Sequence, residues 1–177
     1  MEPYDGQDAI TIVNKLKPGD LPKDLVLALE QAVLDEARGG GILGYPLMKV
    51  RLTITGADYR EGETTDVAVL AAATAAVRNA LQKGGVVLLE PIMRVEIVTP
   101  DNFLGNVQAD LQARRAMIVS QERRGAGLST LEAHVPLSQM FGYSNQVRSL
   151  SQGRASFSME PLRYDAAPPD VLEAMMG

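Results

Sequence analysis

Along the chain the spacing of apolar positions switches between a helical rhythm and a two-residue one, and each switch marks an element boundary. Ile10 to Leu16 predicts a short strand. Asp20 is then placed to cap a helix with Pro22 in its first turn and an apolar stripe of Leu25, Val26, Leu29, Ala32 and Val33, which Gly39-Gly40-Gly41 should end. From Pro46 a strand alternates Met48, Val50, Leu52 and Ile54 with Lys49, Arg51, Thr53 and Thr55. A polar loop, Gly56 to Glu63, leads to Thr64 or Thr65 as the cap of an alanine-rich helix. That helix sets Val67, Leu70, Val77 and Leu81 on one side, and its alanines permit close packing on a sheet before Gly84-Gly85 stops it. Val86 to Leu89 reads as a brief apolar strand and Glu90-Pro91 as a junction, which divides the chain into residues 1–89 and 90–177.

The second part is more regular. Ile92 to Val98 alternates, Thr99-Pro100 predicts a helix start, and the helix carries Phe103, Leu104, Val107 and Leu111. Strands follow over Ala116–Glu122 and Leu128–Val135, joined by a glycine-rich loop, Arg123-Arg124-Gly125-Ala126-Gly127. From Leu137 the residues Met140, Phe141, Val147 and Leu150 predict a helix that Gln152-Gly153 ends. Ala155, Phe157 and Met159 then alternate as a strand, and Pro168-Pro169 starts a short last helix. The order strand, helix, strand, strand, helix, strand predicts a ferredoxin-like split βαβ. The expected class is therefore α+β, with two small α/β sandwiches.

Composition narrows the chemistry. There is no cysteine, which excludes disulfides and thiolate metal sites, and the lone His134 sits among polar strand residues, so neither zinc, iron nor a triad is expected. No phosphate-cradling G-x-x-x-x-G-K-[ST] or G-x-G-x-x-G motif occurs, and carboxylate pairs such as Glu61 and Glu63 lie in polar segments. No catalytic residues, cofactor or metal are assigned. The longest apolar run, Val67 to Val77, is too short for a bilayer, so no membrane partner is expected. The net charge of −5 hides an asymmetry: from Leu111 to Phe157, Arg114, Arg115, Arg123, Arg124, Arg148 and Arg154 face only Glu122 and Glu132. Arginine grips phosphate bidentately and stacks on bases, so this stretch could face RNA, although a solvated basic edge has the same composition.

Met140-Phe141-Gly142-Tyr143, Val147-Arg148-Ser149-Leu150, Gly153-Arg154-Ala155 and Met159-Glu160 closely resemble the C-terminal domain of bacterial-type translation elongation factor G. The likeness extends back through Leu88-Leu89-Glu90-Pro91-Ile92-Met93, Gly105, Asp110-Leu111, Arg114-Arg115 and Val135-Pro136-Leu137. Residues 1–89 resemble that factor's fourth domain, less its N-terminal part, through Leu21-Pro22-Lys23 and Gly44-Tyr45-Pro46.

The resemblance implies a cytoplasmic, ribosome-binding fragment of a GTPase acting in tRNA–mRNA translocation or ribosome recycling, with GTP and magnesium held in a domain absent from this chain. It implies a left-handed βαβ crossover in the first unit. It also implies the decoding region as that unit's partner, the large-subunit factor-binding rRNA and stalk base as the second unit's, and the recycling factor as a further partner. Contact candidates are Tyr59, Arg60, Arg114, Arg115, Arg123, Arg124, Arg148 and Arg154. The Gly56–Asp66 loop departs from the family pattern, one residue longer and with Arg60 near the expected histidine, which points to a specialised paralogue. The residues alone leave open a small-molecule-sensing or interaction module, because such sheets host many activities.

Overall fold

The computed structural model describes residues 1–41 and 44–176, the last three of these as backbone only. The chain forms two compact units, Met1–Val86 and Val87–Gly177.

In the first unit, β1 (Glu2–Pro3), β2 (Ile10–Asn14) and β3 (Val50–Ile54) make a sheet with β3 in the middle. β2 runs parallel to β3, pairing Ile10 with Val50 through Asn14 with Ile54. Parallel neighbours need a crossover, supplied here by α1 (Lys23–Arg38). α1 turns Leu25, Leu29, Ala32, Val33 and Ala37 inward against Leu52 and against Val69, Ala73, Val77 and Leu81 of α2 (Asp66–Gly84).

Local chemistry redraws several expected boundaries. The Asp20 carboxylate accepts from the Lys17 amide (2.8 Å) and does not cap α1, which has Pro22 at its N-cap and no side-chain cap. Residues 46–49 are not strand: Lys49 sits at φ 55°, which breaks the extended run, and Met48 is exposed. On α2 the buried row is Val69, Ala73, Val77 and Leu81, one residue per turn at i, i+4 spacing, so Val67 and Leu70 face solvent. Thr65 is the cap, its hydroxyl accepting from the Ala68 amide (3.3 Å). Thr65→Ala is expected to cost about 1 kcal/mol, read by urea unfolding. An unchanged midpoint would show that the bond contributes nothing.

The second unit is a four-stranded antiparallel sheet of β4 (Leu89–Pro100), β5 (Met117–Gly125), β6 (Leu128–Pro136) and β7 (Ser156–Ala166), in the order β5-β6-β4-β7. Two helices, α3 (Leu104–Ala113) and α4 (Tyr143–Ser151), cover one face. Met93, Val95, Ile97, Leu131, Ala133 and Val135 point at them and meet Val107, Leu111, Tyr143 and Val147. Tyr143 and the half-buried Phe157 pack edge to face, centroids 5.1 Å apart. A last helix, α5, spans Pro169–Met176. This is the ferredoxin-like arrangement that the order of elements predicts.

Here too the details differ. Residues 86–88 are not strand, while Glu90 and Pro91 lie inside β4, opposite Asp165 and Tyr164. Thr99 is buried at the end of β4 and caps nothing; a 3-10 turn, Asp101–Phe103, leads into α3. Arg123 and Arg124 belong to β5, because the hairpin turns on Ala126 and Gly127 alone, both at positive φ (53° and 74°). The helix expected from Leu137 is broken: Leu137–Met140 is a 3-10 turn, Gly142 sits at φ 73°, and α4 begins at Tyr143. Its inward row is Met140, Tyr143, Val147 and Ser151, which leaves Phe141 81% exposed.

Candidate nucleic-acid interface

The six arginines between Leu111 and Phe157 fall into two groups. Arg114, just past α3, is one fifth exposed and sends its Nε to Asp110 Oδ2 (2.8 Å) and its Nη1 to the Gln139 carbonyl (2.5 Å). Its guanidinium also lies 5.1 Å from the centroid of the Tyr143 ring. Arg115 adopts φ 60° and forks onto the carboxylate of Glu90, which is nine-tenths buried. Arg124 approaches Glu96 at 3.5 Å, and Arg154 lies 4.6 Å over the Phe103 ring. These four are engaged by their own fold. Arg123 and Arg148 are exposed and have no ion-pair partner among the described residues.

All three carboxylates involved, Glu90, Glu96 and Asp110, lie outside the stretch whose charge the sequence makes so positive. Folding brings them back to it. Tyr143 completes the Arg114 cluster. Burial, and then Asp110, push its phenol above the ordinary tyrosine range, with Arg114 acting the other way, so the hydroxyl stays neutral. That hydroxyl has no hydrogen-bond partner among the described residues.

α4 presents the most open polar face. Ser144, Asn145, Arg148, Ser149 and Gln152 are all exposed, and Tyr143–Ser151 contains no carboxylate. The helix ends cleanly because Gln152 and Gly153 both take positive φ (54° and 77°), and the Gly153 amide donates to the Arg148 carbonyl (2.8 Å). Phe141 lies exposed two residues before this helix begins. Sequence reasoning counted it among the apolar positions of one helix from Leu137, yet its six-residue separation from Val147 is not a helical repeat, and Gly142 after it is a chain breaker.

In the first unit, Tyr59 and Arg60 lie exposed in the loop between β3 and α2. The Arg60 amide donates to Thr64 Oγ1 (2.9 Å), and its guanidinium approaches Glu63 at 3.5 Å. Both of those charged side chains are more than two-thirds exposed, so the pair is weak. Beside this loop an open groove of ≈ 450 Å³ runs between β3 and the alanines of α2, among them Ala68, Ala72 and Ala76. Its polar side chains are Thr53, Thr55, Asp58 and Thr64, with no nucleophile–base pair among them. No group of three metal-ligating side chains occurs among the described residues. His134 lies half-buried on the sheet, 3.5 Å from Arg163. No described helix is long and apolar enough to cross a membrane.

The family described as elongation factor G, domain IV matches residues 1–85, and that described as elongation factor G C-terminus matches residues 87–175. A curated relative, elongation factor G 2 of Desulfotalea psychrophila, is 40% identical over 176 residues. The alignment takes in 99% of this chain and 25% of the relative, so the chain spans about a quarter of that protein's length. A crystal structure from Thermus thermophilus superposes with a TM-score of 0.83 at 29% identity, over 98% of this chain and 26% of the other.

Proposed function

Because the chain belongs to the elongation factor G family, with regions matching its domain IV and its C-terminus, we propose that it is a ribosome-binding portion of a translational GTPase, acting in tRNA–mRNA translocation or ribosome recycling. On this reading the setting is cytoplasmic, and GTP and magnesium belong to a part of the parent protein outside these residues. The first unit addresses the decoding region. The second addresses the factor-binding rRNA and stalk base of the large subunit, with the recycling factor as a further partner.

The observation that carries the reading is the carboxylate-free face of α4, with Arg148 exposed upon it and without an ion pair among the described residues. A cationic helix face dressed with hydroxyls and amides can hold phosphate by charge and ribose by hydrogen bonding, without needing a base sequence. Arg123 and Arg154 extend the candidate contacts on this unit, and Tyr59 and Arg60 supply those of the first. Arg124, paired with the half-exposed Glu96, can exchange that carboxylate for phosphate at little cost. Arg114 and Arg115 support the surface from beneath through Asp110, Gln139 and Glu90.

Co-sedimentation of the chain with ribosomes tests the proposal. Binding is expected to weaken steeply as salt rises, with a log–log slope of about −2 to −4 for a handful of phosphate contacts. Recovery of all the protein in the supernatant at low salt would refute it.

A further inference from the structure

Phe141 is the most exposed large apolar side chain that the structure describes, at 81%, and its surroundings hold it there. Met140 before it and Tyr143 after it are both buried, which anchors the chain on either side. Between them Gly142 takes φ 73° and turns the backbone, so Phe141 occupies an elbow between the 3-10 turn and α4. Arg114 clamps that elbow from behind. It joins Asp110 on α3 to the Gln139 carbonyl two residues before Phe141, and its guanidinium lies against the Tyr143 ring two residues after it. The Asn145 and Gln146 amides donate to the Gly142 carbonyl (3.2 and 3.3 Å) and start the helix directly from the elbow.

Leaving a phenylalanine ring in water forgoes the free energy that burying it would supply. An aromatic fixed in that position, seven residues before the exposed Arg148 of α4, fits a partner that offers both a flat π surface and negative charge. Nucleic acid has both, and single-stranded or bulged bases of structured RNA stack on such rings. An acidic protein groove would supply charge but takes aliphatic side chains as readily as aromatic ones. We infer that Phe141 is a stacking platform for an unpaired base of RNA, and that Arg114 is its positioning residue, acting through the elbow without touching the RNA. The inference rests on the ribosome-binding reading and goes beyond it by naming the contact chemistry.

The chain contains no tryptophan, so Phe141→Trp adds a single reporter. With ribosomal large subunits as the probe, Phe141→Trp is expected to bind as the parent does, with its emission quenched by stacking. Phe141→Leu keeps the apolar bulk and loses the ring, and is expected to bind about tenfold more weakly, as one lost stacked base predicts. Arg114→Met is expected to weaken binding similarly, with Phe141→Leu adding little in that background, whereas a purely structural arginine would leave the two effects additive. Parent-like binding by Phe141→Leu, or a blue-shifted and unquenched tryptophan, would overturn the stacking role, the latter in favour of a protein pocket. If the parent chain binds and all variants match it, this inference alone falls; if the parent chain does not bind, the underlying reading falls with it.

Discussion

Replacing Arg114 by methionine is expected to destabilise the second unit by about 2–3 kcal/mol, seen as a fall of roughly 10–20 °C in its melting transition. Methionine keeps much of the apolar stem, so the loss comes from polar groups left behind. Asp110, with a side chain only 15% exposed, loses the partner at 2.8 Å that offsets its desolvation. The Gln139 carbonyl loses its donor at 2.5 Å, and Tyr143 loses the guanidinium near its ring. Arg114→Lys is expected to recover part of the loss, since one ammonium can hold Asp110 but has no planar fork to reach Gln139 at the same time. Adding Asp110→Leu to Arg114→Met is expected to restore stability, because it removes the stranded charge. A shift in melting temperature below about 2 °C for Arg114→Met would mean that the cluster is solvated and that the elbow holds without it.

Reversing the charge at Arg148 is expected to weaken association with ribosomes about tenfold or more at physiological salt, with the salt dependence shallower by about one phosphate contact or slightly more. Stability should barely move, within about 0.5 kcal/mol, because the side chain is exposed and no ion pair holds it among the described residues. That separation makes Arg148→Glu the sharper test of function and Arg114→Met the sharper test of architecture. Arg163→Glu is the matched control: it reverses the same charge, at a position already paired with Asp165 at 2.8 Å on the same strand, β7. Equal losses from both would point to bulk electrostatics and dismiss α4 as the contact. A shallower slope for Arg148→Glu alone would place phosphate there.

Much of the second unit is legible in its spacing. Val95 and Ile97, or Leu131, Ala133 and Val135, alternate because one face of an antiparallel sheet is wet, and such alternation survives in sequence as a two-residue period. The first unit is harder. On α2 the alanines carry little periodic signal, so Val67 and Leu70 look like core and are not, while the small Ala73 is. At Leu137–Ser151 the apolar count suggests one helix, but a glycine at φ 73° breaks it into two pieces and turns Phe141 outward. The candidate surface was half legible: Arg123 and Arg148 stand free as the charge pattern suggests, while Arg114 and Arg115 turn inward.

What the sequence by itself determined is local: the periods, the glycine stops, the lack of cysteine, the order of elements in the second unit, and the residue pattern that marks the family. What only the tertiary structure decided is which charges remain free. Asp110 and Arg114 are four residues apart on a helix, a pairing that spacing allows; Glu90 and Arg115 are separated by 25 residues, and Glu96 and Arg124 by 28. Coulomb attraction depends on distance in space, and a charge total over any window of sequence omits partners that the sheet delivers from a neighbouring strand. Of the six arginines in that stretch, folding pairs three with carboxylates and sets Arg154 over the Phe103 ring, which leaves Arg123 and Arg148 open.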